Sequence, residues 1–160
     1  MRPIDHYIGD YKWLSNFYPC EIVYEGLKYP SLENAYQAAK FKPEKRHLFQ
    51  NCPAGYAKRL GKNRALGKLH GLVINPDWNN RRIGVMKQLL EYKFSYEHHP
   101  RLANQLVSTY PRRLIEGNFH GDQFWGVCDG KGENNLGSLQ EDQREILMSE
   151  KDDMINAFET

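Results

Sequence analysis

"CEIVYEGLKYPSLENAYQAAKF", residues 20–41, decides the fold class because two periodicities meet inside it. Side chains alternate on both sides of Glu25-Gly26, the pattern of a short antiparallel hairpin. Pro30 lacks a backbone donor and stops the strand, and Ser31 is suited to cap the helix that follows to about Phe41. Leu32, Ala35, Tyr36 and Ala39 form one face of that helix, and Glu33, Gln37 and Lys40 run along the adjoining edge at i, i+4 and i+7. Two readings of the edge stand open. One is a solvated stripe whose pairs contribute about 0.2–0.5 kcal/mol each. The other is the lining of a site, where a lysine of lowered pKa attacks and a neighbouring carboxylate moves protons. Desolvation separates them, and spacing does not report it.

Outward from this stretch the chain is mainly helical. Pro53 opens a helix with Ala54, Ala57, Leu60, Ala65 and Leu66 as apolar positions and Gly67 near its end. Asn75-Pro76 provides a cap and a favourable first position before a helix from Trp78 to about Tyr96, where Ile83, Met86, Leu89, Leu90 and Phe94 keep helical spacing. His98 and His99 are expected on a helix, pointing apart. Pro100 starts a short helix bearing Leu102, Leu106 and Val107. "RRLIEGNF" and "QFWGV" are expected as short strands or extended loop edges. "DGKGENNLG" is a glycine-rich loop, after which Ser138 is expected to cap a terminal helix through Leu147 and on to Phe158. The expected fold is α+β, one mostly helical domain over residues 1–160 with a small β-sheet.

A chain of 160 residues suits one domain with a real core. The net charge of +2 does not by itself call for nucleic acid, yet its distribution is uneven. From Lys40 to Lys68 the only acid is Glu44, whereas acids predominate from Glu141 onward. That suits a positive surface facing phosphates, or equally a basic helical face balanced by an acidic tail. Cys20, Cys52 and Cys128 are scattered and odd in number, which argues for a reducing compartment. The N-terminus lacks the apolar core of a secretory signal and no stretch approaches membrane-spanning length, so a soluble cytoplasmic protein is expected.

Familiar site motifs are absent: GxxxxGK[ST], GxGxxG, HExxH and GxSxG do not occur. His120, Asp122 and Cys128 come nearest to a metal-ligand set and lack tight pairing, so no metal and no cofactor are expected. The second chemistry-dense stretch is "IEGNFHGDQFWGVCDGKGENNLGS", which holds Glu116, Asp122, Trp125, Asn134 and Asn135 among glycines. Glycine permits close approach of backbone to a ligand. A tight chain reversal around a core Trp125 explains the same composition. Trp78 is likewise either a core aromatic or a stacking platform.

Four stretches taken in order resemble the NADAR family, also called YbiA-like: "WLSNFYPCEIVYEGLKYPSLENAYQAAKF", "LGKNR", "DWNNRRIGVMKQLLEYKF" and "LIEGNFHGDQFWGVCDGKGENNLGSLQEDQRE". The resemblance runs from about Lys12 to Leu147. Between "LGKNR" and Trp78 the chain departs from the pattern with "ALGKLHGLVINPD". The resemblance implies an N-glycosidase. Some family members hydrolyse phosphoribosylamino intermediates of riboflavin biosynthesis, and others remove ADP-ribose from modified guanine in nucleic acid. Carried over residue by residue, it implies Lys40, Glu33 and Asp122 as catalytic. The lysine would attack the anomeric carbon and form a Schiff base, and the carboxylates would exchange protons. It implies ligand contacts from Ser15, Asn16, Phe17, Gln37, Trp78, Trp125, Gly126, Asn134 and Gly137. Lys62, Arg64 and the loop around Gly132 would favour phosphate groups.

The ligand expected on this basis contains ADP-ribose or a ribose phosphate, with ADP-ribosylated DNA or RNA as substrate and no membrane or obligate protein partner. A phosphoribosylamino-pyrimidine is the alternative substrate. A non-catalytic module binding ADP-ribose or NAD is the alternative of another class, and would not need Glu33, Lys40 and Asp122 together.

Overall fold

The computed structural model describes residues 1–159. By its contacts the chain divides into two units, Asn16–Lys93 and Met1–Ser15 with the chain from Phe94 onward. The first holds β1 (Pro19–Tyr24), β2 (Leu27–Ser31), α1 (Leu32–Ala39), α2 (Ala54–Lys62), α3 (Arg64–Leu69) and α4 (Trp78–Lys93). β1 and β2 pair antiparallel, Ile22 opposite Tyr29 and Tyr24 opposite Leu27. Glu25 and Gly26 both have positive φ, 45° and 84°, as a type I′ turn requires. Arg46 from a 3₁₀ segment (Pro43–Phe49) pairs with the Glu25 carboxylate at this turn.

α1 starts where the residue types direct it. Ser31 is extended, and its Oγ accepts the Asn34 N–H at 3.1 Å. Asn34 donates in turn to the carbonyls of Phe49 and Cys52 at 2.9 and 2.8 Å, tying the helix to the chain that follows. Both strands, the 3₁₀ segment, α2 and α4 pack around α1, and all eight of its residues are buried.

The second unit holds a 3₁₀ turn (Gly9–Leu14), α5 (Pro100–Ser108) and α6 (Asn135–Glu159). Three of its buried polar residues, Gln140, Gln143 and Arg144, lie along α6. Gln140 accepts the Tyr7 hydroxyl at 2.7 Å and donates to the Leu14 carbonyl at 2.9 Å. Arg144 reaches Thr109 Oγ1 and the Arg112 carbonyl just beyond α5. The stretches expected as strands or loop edges form isolated bridges, Ile4 with Leu114 and Gly117 with Val127.

Four element boundaries differ from the sequence expectation, the first being β2, which runs through Pro30 to Ser31 instead of stopping at the proline. The helix opened by Pro53 is two helices, because Asn63 is extended and its side chain accepts the Leu66 N–H at 3.0 Å, restarting the coil as α3. α4 ends at Lys93, so His98 and His99 lie in a turn; His99 precedes Pro100, a position that disfavours helical ψ. α6 begins at Asn135, since the Ser138 N–H already donates to the Asn134 carbonyl at 3.0 Å, which puts Ser138 inside the first turn. No helix among the described residues is long and apolar enough to cross a membrane.

Candidate active site

Glu33, Gln37 and Lys40 do not form a solvated edge. Their exposures are 7, 2 and 7%, because neighbours on every side enclose the helix that carries them. Gln37 Nε2 donates to Glu33 Oε1 at 2.8 Å, while Gln37 Oε1 is buried without a hydrogen-bond partner among the described residues. The Lys40 ammonium stands 5.5 Å from the centre of the Tyr36 ring, and that ring meets Trp78 at 5.3 Å. Trp78 is itself 6% exposed.

Burial sets the electrostatics. It pushes the Lys40 amine down to about 8, against the pull of Glu33, and Lys62, Lys58 and Arg82 reinforce the fall. Burial also raises the Glu33 carboxyl, opposed by the Gln37 hydrogen bond and by Lys58, Lys40 and Lys62. Both partners are biased toward their neutral forms. A neutral amine is a nucleophile and a protonated carboxyl is a proton donor, so the pair is suited to displacing a basic leaving group.

Gly61 of α2 lies against this set. A Cβ there would stand 2.0 Å from Gln37 Oε1 and 3.2 Å from Gln37 Cβ. Helix propensity favours Gly61→Ala by about 1 kcal/mol, whereas overpacking costs about 1–3 kcal/mol. Gln37 is buried and its Cβ as well as its flexible end stands within 3.2 Å, so more than the side-chain tip must shift and overpacking wins. Gly61→Ala is expected to lower the melting temperature and to weaken turnover by displacing the amide that holds Glu33. A melting temperature equal to or above that of the wild type would show that Gln37 yields freely.

The Asn16 carbonyl accepts the Glu33 N–H at 3.0 Å, and Asn16 Oδ1 is buried without a partner among the described residues. Phe17 is 41% exposed, with Lys58 Nζ 5.6 Å from its ring centre. Ser15 belongs to the other unit, where its N–H closes the 3₁₀ turn on the Lys12 carbonyl.

The remaining sequence candidates gather in that other unit, around one loop. Asp122 Oδ1 accepts the N–H groups of Phe124 and Trp125 at 3.1 and 2.9 Å, and its own N–H donates to Asn118 Oδ1. This carboxylate therefore shapes the turn that carries Trp125, a half-buried ring edge-on to Phe124. Gly126 is demanded by close approach: a Cβ would fall 2.1 Å from the Glu116 carbonyl oxygen. Asn134, at φ 54°, accepts the Glu116 N–H and donates to the Leu114 carbonyl, both at 2.9 Å. Gly137 is buried in the first turn of α6. Among the described residues no three His, Cys, Asp or Glu side chains are grouped to hold a metal, His120, Asp122 and Cys128 included.

Sequence reasoning missed four contributors in the first unit. Tyr36 reads as a core position, although it precedes Lys40 by one helical turn. Lys58, Arg82 and Gly61 are not singled out by the sequence reading at all. The one available signal is the spacing of Lys58 and Lys62 on a single face of α2.

The NADAR domain family model matches residues 5–148. N-glycosidase YbiA of Shigella boydii is 34% identical over 145 residues, covering 89% of this chain and 85% of that protein. A riboflavin biosynthesis protein of Vibrio vulnificus is 36% identical over 151 residues; the alignment covers 91% of this chain but spans only 39% of that relative's length. The NMR structure of the Escherichia coli protein YbiA matches with a TM-score of 0.78 at 31% identity, covering 94% of this chain and 89% of that one. With these matches spanning both units, the chain belongs to the NADAR domain family and is an N-glycosidase.

Proposed function

We propose that this N-glycosidase removes ADP-ribose from ADP-ribosylated guanine in DNA or RNA, with Lys40 as nucleophile. The observation that carries the reading is the buried Glu33–Lys40 pair, both members biased toward neutrality. Neutral Lys40 Nζ attacks the anomeric carbon as the bond to the guanine nitrogen breaks. The bonding pair leaves with that nitrogen, which takes a proton from Glu33. The ribosyl adduct opens to a Schiff base, and water, deprotonated by the Glu33 carboxylate, releases the sugar and restores the amine. Gln37 holds Glu33, and its free Oε1, with Asn16 Oδ1, is suited to accept from sugar hydroxyls. Trp78 and Tyr36 wall the lysine from water, and Phe17 contacts the ligand. Ser15, Trp125, Gly126, Asn134 and Gly137 are further ligand contacts by family resemblance, and Asp122 is a second proton-exchanging carboxylate on the same ground. Three unpaired thiols suit a reducing compartment, and the cytoplasm is the simplest.

The name of the Vibrio vulnificus relative favours a second reading, in which the substrate is a phosphoribosylamino-pyrimidine of riboflavin biosynthesis. The same attack would release the pyrimidine and a ribose phosphate. Incubation of pure protein with each substrate, followed by mass spectrometry of the released bases, decides between them. Guanine release from ADP-ribosylated DNA is expected. Pyrimidine release alone would transfer the assignment to the second reading, and release from neither would leave a binding module.

A further inference from the structure

We propose that residues 149–159 of α6 form an arm that docks, apolar face down, into the groove between α2 and α3 of a second copy of this chain. One copy carries one such arm and one such groove, so two copies exchange arms reciprocally and close a two-fold pair.

One stripe runs the length of α6. Leu136, Gln140, Gln143 and Leu147 are buried, and the same steps of three and four residues continue through Lys151, Met154 and Phe158, with Ile155 beside them. Every residue from 149 to 159 is nevertheless exposed, Met154 at 45%, Ile155 at 48% and Phe158 at 93%. The buried stripe thus outruns the core, and about three turns of helix hold its apolar side chains in water. The same residues include four carboxylates, Glu150, Asp152, Asp153 and Glu159, against the single Lys151, a net charge of −3. Two arms laid together would set like charge against like charge, and an anionic membrane would repel them. The surface that covers this face is therefore apolar and cationic.

A second copy provides that surface. α2 and α3 carry five cations, Lys58, Arg59, Lys62, Arg64 and Lys68, and no acid. Between them Tyr56, Arg59, Asn63, Ala65, Leu66 and Leu69 line a groove of about 460 Å³, with no carboxylate among the described residues. Leu69 is 79% exposed, and the Arg59 guanidinium lies 5.5 Å from the Tyr56 ring centre, which sets a fork of donors beside apolar surface. An amphipathic helix seats in such a groove through side chains one turn apart, and Met154 and Phe158 have that spacing. The carboxylates around them match the cations of α2 and α3. Leu69 and Phe158 are both largely exposed, so neither is covered within one chain. An unrelated cationic partner would cover the arm and leave the groove bare, whereas a second copy covers both.

The test is sedimentation equilibrium of the full chain from about 1 to 300 μM, for wild type, Phe158→Asp, Leu69→Asp, an equimolar mixture of these two variants, and Ile8→Asp. Ile8 is 71% exposed and belongs to neither surface, so its variant is the surface-charge control. Wild type is expected to pass from one chain mass toward two within that range. Phe158→Asp spoils every arm and Leu69→Asp every groove, so each alone is expected to weaken association about tenfold or more. Their mixture brings an intact arm to an intact groove and is expected to recover association short of the wild type, since one contact replaces two. Ile8→Asp should match the wild type. A wild type that keeps one chain mass at every concentration overturns the proposal. Undiminished association of Leu69→Asp, which would mean that arms pair with arms, overturns it too, as does undiminished association of Phe158→Asp, which would leave the arm without a part. A mixture that associates no better than either variant alone has the same consequence.

Discussion

Lys40→Arg is expected to fold, to keep much of its affinity for ADP-ribose and to lose turnover by roughly 10³-fold or more, as removal of a nucleophile does elsewhere. A guanidinium remains charged and cannot attack a sugar carbon. The wild-type lysine can, because burial brings its amine down to about 8. At pH 7 about a tenth of it is then free amine, against well under a thousandth for an ordinary lysine near 10.4. The fraction of free amine rises about tenfold per pH unit below pH 7 and levels off above pH 8, and the rate should follow it for as long as Glu33 keeps the proton it donates. Stability carries the matching signature. The folded lysine binds fewer protons than the unfolded one between about 8 and 10.5, so its contribution rises with pH across that window. Glu33, raised by burial, acts in the opposite sense, its contribution falling as pH climbs above the ordinary carboxylate value. Borohydride added during turnover should trap a sugar adduct that peptide mapping places on Lys40. Lys40→Met, which removes the charge from a buried position, should be equally inactive with its melting temperature maintained. An active arginine variant, or an adduct on another lysine, would remove the nucleophile from α1.

What was legible in the sequence was local. The hairpin follows from alternation around Glu25-Gly26, where the glycine takes positive φ freely, and α1 follows from Ser31, all within a dozen positions of one another. The division at Asn63 was less legible, because the same asparagine reads as a mild helix interior until its side chain is seen accepting the Leu66 N–H. The buried stripe was not legible at all. Glu33, Gln37 and Lys40 have the spacing of a solvated edge, and what closes over them is α2 and α4, supplied by residues that begin at Ala54 and Trp78. Solvent exclusion comes from packing across distant stretches of chain, so no spacing within α1 could disclose the shift in Lys40. Asp122 shows the converse. Its chemistry was visible, but its use by the Phe124 and Trp125 amides was not, since an aspartate that shapes a turn and one that moves protons look alike in sequence.

Trp78→Ala is expected to lose both stability and turnover, because one ring performs two tasks. At 6% exposure the indole is a packed residue, and truncation to alanine costs about 3–5 kcal/mol. For a chain of this length that corresponds to a fall of roughly 6–20 °C in melting temperature. The ring also backs Tyr36, whose own face lies 5.5 Å from Lys40 Nζ. A cavity there would admit water, relieve the desolvation that lowers the lysine and return its amine toward the ordinary value. The plateau of the pH–rate profile should therefore move upward in Trp78→Ala, a change that simple loss of folded protein does not produce. Trp78→Phe keeps an aromatic wall against Tyr36 and should recover most of the melting temperature along with the position of the plateau. If Trp78→Phe regains stability while the plateau stays displaced, the indole acts on the lysine through more than its bulk. If Trp78→Ala melts lower with an unmoved plateau, Trp78 belongs to the core alone and the dryness of Lys40 comes from its other neighbours.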